Sequence, residues 1–154
     1  PTPIQIISPT ASASASPTLE VLGEAYEEVL VEKVVDGDTI KIEGSKTVRY
    51  IGVNTPETVD KRRGVECFGK QASEKNKELV EGKMVRLEKD VSETDKLGRL
   101  LRYVYVNDIF INDHLVRQGY AYASSYPPDI KYQELLKEAE NEARESGRGL
   151  WVVC

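Results

Sequence analysis

Between Val29 and Pro56 the chain is cut into three short runs by turn-forming residues, and runs of that length fold as strands rather than helices. Val29-Leu30-Val31-Glu32-Lys33-Val34-Val35 reads as the first strand. Asp36-Gly37-Asp38 follows, and Asp-Gly supplies the positive φ of a tight hairpin. Thr39-Ile40-Lys41-Ile42-Glu43 alternates with the period of a strand, and Gly44-Ser45 turns it. Thr47 to Val53 is a third strand, stopped by Pro56. Three consecutive strands of this kind predict an antiparallel meander, a constraint that few architectures satisfy.

Downstream, a polar loop over 57–66 carries Lys61, Arg62 and Arg63. A helix is predicted from Phe68 to Val80, with Ala72, Leu79 and Val80 on its apolar stripe and Gly82 just past its end. Met84 to Glu88 is the fourth strand and Arg99 to Val106 the fifth, turned by Asn107-Asp108. Asn112 is expected to cap a short helix running through Val116 and Gln118 to Gly119. The last helix is predicted from Asp129, its expected cap, to Glu145, with Tyr132, Leu135, Leu136 and Ala139 on one face. Gly147 to Trp151 is expected to leave it as an extended tail. The fold class is mainly β with helices (α+β): an OB-type five-stranded Greek-key barrel with three helices.

The length, 154 residues with 40% hydrophobic and 31% charged content, suits one folded domain. Residues 1–28 read as a flexible linker, from the run Ala11-Ser12-Ala13-Ser14-Ala15-Ser16-Pro17-Thr18, and residues 29–154 as the domain. A spacer behind a removed signal or anchor and a terminus without a role are both open readings of that segment. The chain begins at Pro, so a processed or recombinant form is expected. No apolar run reaches the length of a membrane span.

The net charge of −5 argues at first against a nucleic-acid partner. Four acids and no Lys or Arg lie within residues 1–30, which leaves 21 basic and 22 acidic residues in the remainder. Such a domain can focus positive potential locally, but it is not built to coat nucleic acid.

Several side chains suggest chemistry. Asp36 and Asp38 flank Gly37, which alone is a plain hairpin turn. Asn54 and Thr55 add oxygen ligands at the end of the third strand, and Glu57 follows Pro56. Arg49 and Arg99 sit on separate segments. Hard-cation ligands beside two guanidinium groups are what metal-assisted attack on a phosphodiester requires. His114, the one histidine, has no nucleophile beside it in the sequence pattern and reads as a surface residue; Arg117 reads as structural, paired with an acid. Cys67 and Cys154 are either two unrelated thiols or a pair.

Four motifs in register, Val35-Asp36-Gly37-Asp38-Thr39, Arg49 to Thr55-Pro56-Glu57-Thr58, Thr94-Asp95-Lys96-Leu97-Gly98-Arg99 and Leu115-Val116-Arg117-Gln118-Gly119, closed by Gly149-Leu150-Trp151, resemble the thermonuclease (staphylococcal nuclease-like) family. The likeness spans roughly Val29 to Trp151. It implies an OB-type barrel with added helices and a calcium-dependent nuclease that hydrolyses the phosphodiester bonds of DNA and RNA to 3′-phosphate ends. By resemblance, one Ca2+ ion is held by Asp38, Asn54 and the Thr55 carbonyl, with Asp36 in the outer shell. Glu57 is the general base, and Arg49 and Arg99 clamp the transition state.

Asn54 departs from the carboxylate of the best-known member, which removes a formal charge from the site. Leu97 replaces an aromatic residue often found at its position. Lys96 is a candidate phosphate contact and Tyr126 a candidate substrate contact, while packing is the better reading of Tyr120. The family's C-terminal tail runs back toward the first helix, so a Cys67–Cys154 disulfide is implied, in keeping with a secreted or cell-envelope-exposed protein. A monomer acting on single-stranded substrates is expected. The rival reading is a catalytically weak or inactive OB module that binds nucleic acid or a protein partner, which would show gaps in the carboxylate and arginine set.

Overall fold

The computed structural model describes residues 26–56 and 67–154. Strand β1 runs Tyr26–Asp36, β2 Thr39–Ile42 and β3 Lys46–Tyr50. In β2 the alternation sends Ile40 and Ile42 inward and Lys41 out, as a one-sided strand requires. The first part of β1, Tyr26 to Leu30, pairs with β5 (Met84–Glu88), whereas Val31 to Asp36 pairs with β2. Register irregularities between Val31 and Lys33 and between Val34 and Asp36 bend the strand, as bulges do, and let it serve both neighbours. β1 begins inside the segment read as linker, because Tyr26, Glu27 and Glu28 pair with Glu88, Leu87 and Arg86.

β6 (Leu100–Val106) pairs antiparallel with β5 and parallel with β3, through Val48↔Leu100 to Tyr50↔Arg102. That pairing closes β1, β2, β3, β6 and β5 into a five-stranded OB-like barrel. Val31, Ile40, Val48, Leu87 and Val104 fill it. Three helices pack around it: α1 (Gly69–Val80), α2 (Ile111–Arg117) and α3 (Gln133–Ser146). Among the described residues no helix is long and apolar enough to cross a membrane.

The expected third strand is broken. After β3 the chain turns at Ile51-Gly52 and resumes as β4 (Val53–Asn54), which pairs with β8 (Tyr122–Ala123) rather than with the barrel. Gly52 has φ +76, and a Cβ there would lie 2.6 Å from Leu136 Cδ1, so only glycine makes this corner under α3. A short β7 (Ile109–Phe110) completes a hairpin with β6.

Two expected caps have other tasks. Asn112 lies inside α2, which starts directly from β7. Its Oδ1 accepts from Val104 N–H at 2.9 Å and its Nδ2 donates to Ile51 C=O at 2.9 Å. Asp129 precedes α3 by several residues and accepts from the N–H groups of Val91 and Ser92 at 2.9 and 2.7 Å. Leu135 is partly exposed, so the buried face of α3 rests on Leu136, Ala139 and Ala143. The tail is not extended: Leu150–Val153 forms a helical turn, α4, anchored by buried Leu150, whose N–H donates to Gly119 C=O at 2.8 Å. The tail's end returns to the start of α1, where Cys67 and Cys154 are paired with Cα atoms 5.9 Å apart.

Candidate active site

The Asp36-Gly37-Asp38 turn joins β1 to β2, and all three of its residues are buried. A Cβ on Gly37 would sit 2.7 Å from Thr55 Oγ1 and 2.8 Å from Thr55 Cβ, so the turn lies directly on the Thr55 side chain. Gly37 N–H donates to Asp36 Oδ1 at 2.8 Å. The Asp38 carboxylate accepts from Thr39 Oγ1 at 2.9 Å, from Thr55 N–H at 3.0 Å and from Thr55 Oγ1 at 3.1 Å. Those donors hold the carboxylate in one orientation. Asn54 lies exposed beside it at the end of β4.

Arg49, near the end of β3, reaches across this turn. Its Nη1 donates to the backbone carbonyls of Tyr50 at 2.8 Å and Val53 at 2.7 Å. Its Nη2 lies 3.4 Å from Asn54 Oδ1 and 3.4 Å from Asp38 Oδ2. The break between β3 and β4 makes this possible, because it turns the Val53 carbonyl back toward the guanidinium.

Arg99 arrives from the loop before β6. Asp95 Oδ1 accepts from the N–H groups of Leu97 and Arg99, both at 2.9 Å, and Asp95 Oδ2 accepts from Arg99 Nε at 2.7 Å. Burial opposes the charge of Asp95, but the Arg99 N–H, the Arg99 guanidinium and the Leu97 N–H outweigh it and hold the carboxyl below its ordinary 3.8.

Arg49 and Arg99 line one cleft together with Gly52, Asp95, Ser124 and Tyr126. Tyr126 is 42% exposed and forms part of the wall. Lys96 is not among the lining residues; it is exposed and makes no hydrogen bond or ion pair among the described residues. Leu97, 77% exposed, points away from the core. Glu57, the expected general base, lies outside the described residues. Thr55, expected as a carbonyl ligand, holds Asp38 through its N–H and hydroxyl.

The donors gathered at the turn, carboxylate, amide and carbonyl oxygens, have the hard character that calcium takes. Among the described residues no three His, Cys, Asp or Glu side chains come together, so a cation here would lean on neutral oxygens as well as on Asp38. Asp38 Oδ1 accepts one hydrogen bond and keeps acceptor capacity. The residues fit such an ion.

His114 is half-buried and its pKa is lowered from 6.5, first by burial and then by Lys75. Arg117 is structural as expected, pairing with Asp113 at 2.8 Å and Glu142 at 2.7 Å. Tyr120 packs on Phe68, ring centroids 5.4 Å apart. Sequence reasoning missed the part played by Asp95, although it stands in the Asp-Lys-Leu-Gly-Arg motif. It also missed Asn76, whose signal was an amide at four-residue spacing between Ala72 and Val80 on the buried stripe of α1.

Comparison with known proteins gives the family. The staphylococcal nuclease homologue family model matches residues 47–153. A thermonuclease of Staphylococcus intermedius is 42% identical over 135 residues, covering 86% of this chain and 79% of that protein. A thermonuclease of Staphylococcus hyicus is 39% identical over 124 residues, covering 79% and 73%. An endonuclease of Bacillus subtilis (strain 168) is 41% identical over 128 residues, covering 80% of this chain and 61% of its own length. With the family model matching β3, β5, β6 and the helices, and relatives about 40% identical over most of the chain, the chain belongs to the staphylococcal nuclease homologue family.

Proposed function

We propose that this nuclease hydrolyses the phosphodiester bonds of DNA and RNA with calcium and leaves 3′-phosphate ends. The observation that carries the reading is the convergence of two arginines, from segments fifty residues apart in sequence, on one cleft beside the Asp38 turn. A dianionic five-coordinate phosphorus is the species that two guanidinium groups stabilise best.

Water attacks phosphorus in line with the leaving 5′ oxygen. As the new P–O bond forms, Glu57 takes the water's proton, and the P–O5′ bond breaks with the electron pair leaving on oxygen, which solvent protonates. Arg49 and Arg99 hold the equatorial oxygens as their charge rises. Asp38, Asn54 and Thr55 would hold the cation, with Asp36 behind them, and a cation there supplies neutralisation of that same charge. Lys96 and Tyr126 contact the flanking nucleotide. Single-stranded substrates, whose phosphodiesters are accessible to the cleft, are the expected ones, and the protein is expected to act as a monomer.

The Cys67–Cys154 pairing supports a disulfide in an exported, envelope-exposed protein. With a sequence separation of 87 it closes a long loop. Such a bridge contributes up to about 4 kcal/mol by restricting the unfolded chain. Two reactive thiols per chain in the denatured, unreduced protein would exclude the bridge.

The reading is tested by incubating the protein with single-stranded DNA in calcium, in magnesium and in chelator, with end-group analysis of the products. Cleavage in calcium to 3′-phosphate ends, abolished by chelator, is expected. Full cleavage in chelator, or 5′-phosphate products, would overturn it.

A further inference from the structure

Beneath the Asp36-Gly37-Asp38 turn lies a buried polar pair that the chemistry above does not use. Asn76 sits in the middle of α1 with no exposed surface, and Tyr50, at the end of β3, is 1% exposed. An amide in an apolar stripe is costly unless its donors and acceptors are matched. Here they are. Asn76 Nδ2 donates to Asp36 C=O at 2.9 Å, and Asn76 Oδ1 accepts from the Tyr50 hydroxyl at 2.6 Å. The Tyr50 backbone N–H in turn donates to Asp38 C=O at 2.9 Å.

The four groups form a closed circuit: Asp36 carbonyl, Asn76 amide, Tyr50, Asp38 carbonyl. Its polarity is determined. A carbonyl only accepts, so the NH2 of Asn76 faces Asp36, its oxygen faces Tyr50, and the hydroxyl must donate. Burial raises the pKa of Tyr50, so the hydroxyl keeps the proton that it donates. The circuit grips the turn through its backbone and ties α1 to it.

We infer that Asn76 and Tyr50 are positioning residues that hold the carbonyls of Asp36 and Asp38, so that the turn presents its carboxylates in one geometry before any cation arrives. The inference rests on the reading that this turn holds a cation. Its physical basis is preorganisation: a turn already fixed loses less freedom on binding.

The test compares the parent with Asn76→Leu, Tyr50→Phe and a control, Ala139→Gly, which loosens buried α3 without touching the circuit. Calcium affinity is measured by calorimetry, and amide hydrogen exchange is followed in chelator at Tyr50 and Thr55, whose N–H groups bond Asp38. Asn76→Leu is expected to weaken calcium roughly tenfold, as loss of a buried hydrogen bond implies, and to lose protection at both amides beyond the global change. Tyr50→Phe keeps the ring and so the packing; a smaller shift in the same direction is expected. Ala139→Gly should change only global protection.

Parental affinity or parental protection in Asn76→Leu overturns the inference, as does an equal loss in the control. Were the parent itself to bind no calcium, the cation reading would fail. The exchange measured in chelator would still decide the circuit, with unchanged protection overturning it.

Discussion

Arg49 and Arg99 face one cleft, yet they are held in opposite ways. Arg49 is clasped by the barrel's backbone: two carbonyls take its Nη1, and neither can be removed by a side-chain substitution. Arg99 hangs on a single carboxylate, Asp95, from its own loop. The first arrangement is as rigid as the β3–β4 corner that makes it. The second leaves both Nη groups of Arg99 without a protein partner among the described residues and free to meet phosphate as a fork. One arginine is set by the fold and the other by a local turn.

The largest expected effect tests whether both act on the same transition state. Arg49→Ala and Arg99→Ala should each lower kcat by about 100-fold or more, the cost of one charge-assisted transition-state contact, with unfolding midpoints close to the parent's. Glu57→Ala should do likewise. If all three variants stay within a few-fold of the parent, the pair does not form a clamp.

A sharper test separates the two arginines. Asp95→Asn keeps acceptors for the Leu97 and Arg99 N–H groups but weakens the hold on Arg99 Nε. We expect kcat to fall by about tenfold, roughly 1.4 kcal/mol. The loss should vanish in an Arg99→Ala background and persist in Arg49→Ala, the pattern of a double-mutant cycle. An equal loss in both backgrounds would show that Asp95 serves the site some other way.

On the Arg49 side, Asn54→Asp should tighten calcium by up to about tenfold, because it restores a charge beside Asp38. The new carboxylate also meets Arg49 Nη2, and that contact limits the gain. Calorimetry showing unchanged or weaker binding would count against the ligand set.

The smallest effect is an absence of titration. The depressed pKa of Asp95 means that its pairing with Arg99 is fully formed above the ordinary carboxylate value of 3.8 and is lost only as pH falls through the lower folded value. The ratio of parent to Asp95→Asn kcat should therefore stay flat from pH 5 to 9. A ratio that bends within this window would place the Asp95 titration there and break the account.

Much of the fold could be read because its signals are local. β2, β5 and β6 lie where alternation and apolar runs put them, to within a residue, and α1 begins one residue after Phe68. The two misread caps share one cause. Asn112 and Asp129 look like helix caps by type and place, but each finds its hydrogen-bond partners far along the chain, Asn112 at Ile51 and Asp129 at Val91 and Ser92. A short polar side chain satisfies whichever backbone group the fold delivers, and its sequence neighbours do not say which. The break at Gly52 was missed because apolar residues on both sides of it mimic one continuous strand. The helical tail was missed because burial of Leu150 under Gly119 depends on where α2 ends.

By itself, then, the sequence determined most of the strand and turn punctuation and the family, since period, turn chemistry and motif spacing are short-range properties of the chain. Tertiary structure alone decided the parallel β3–β6 pairing, the backbone clasp on Arg49 and the Asn76–Tyr50 circuit. Each of these joins groups whose partners are chosen by the closing of the barrel. Buried polar groups must be satisfied there by what packing places within reach.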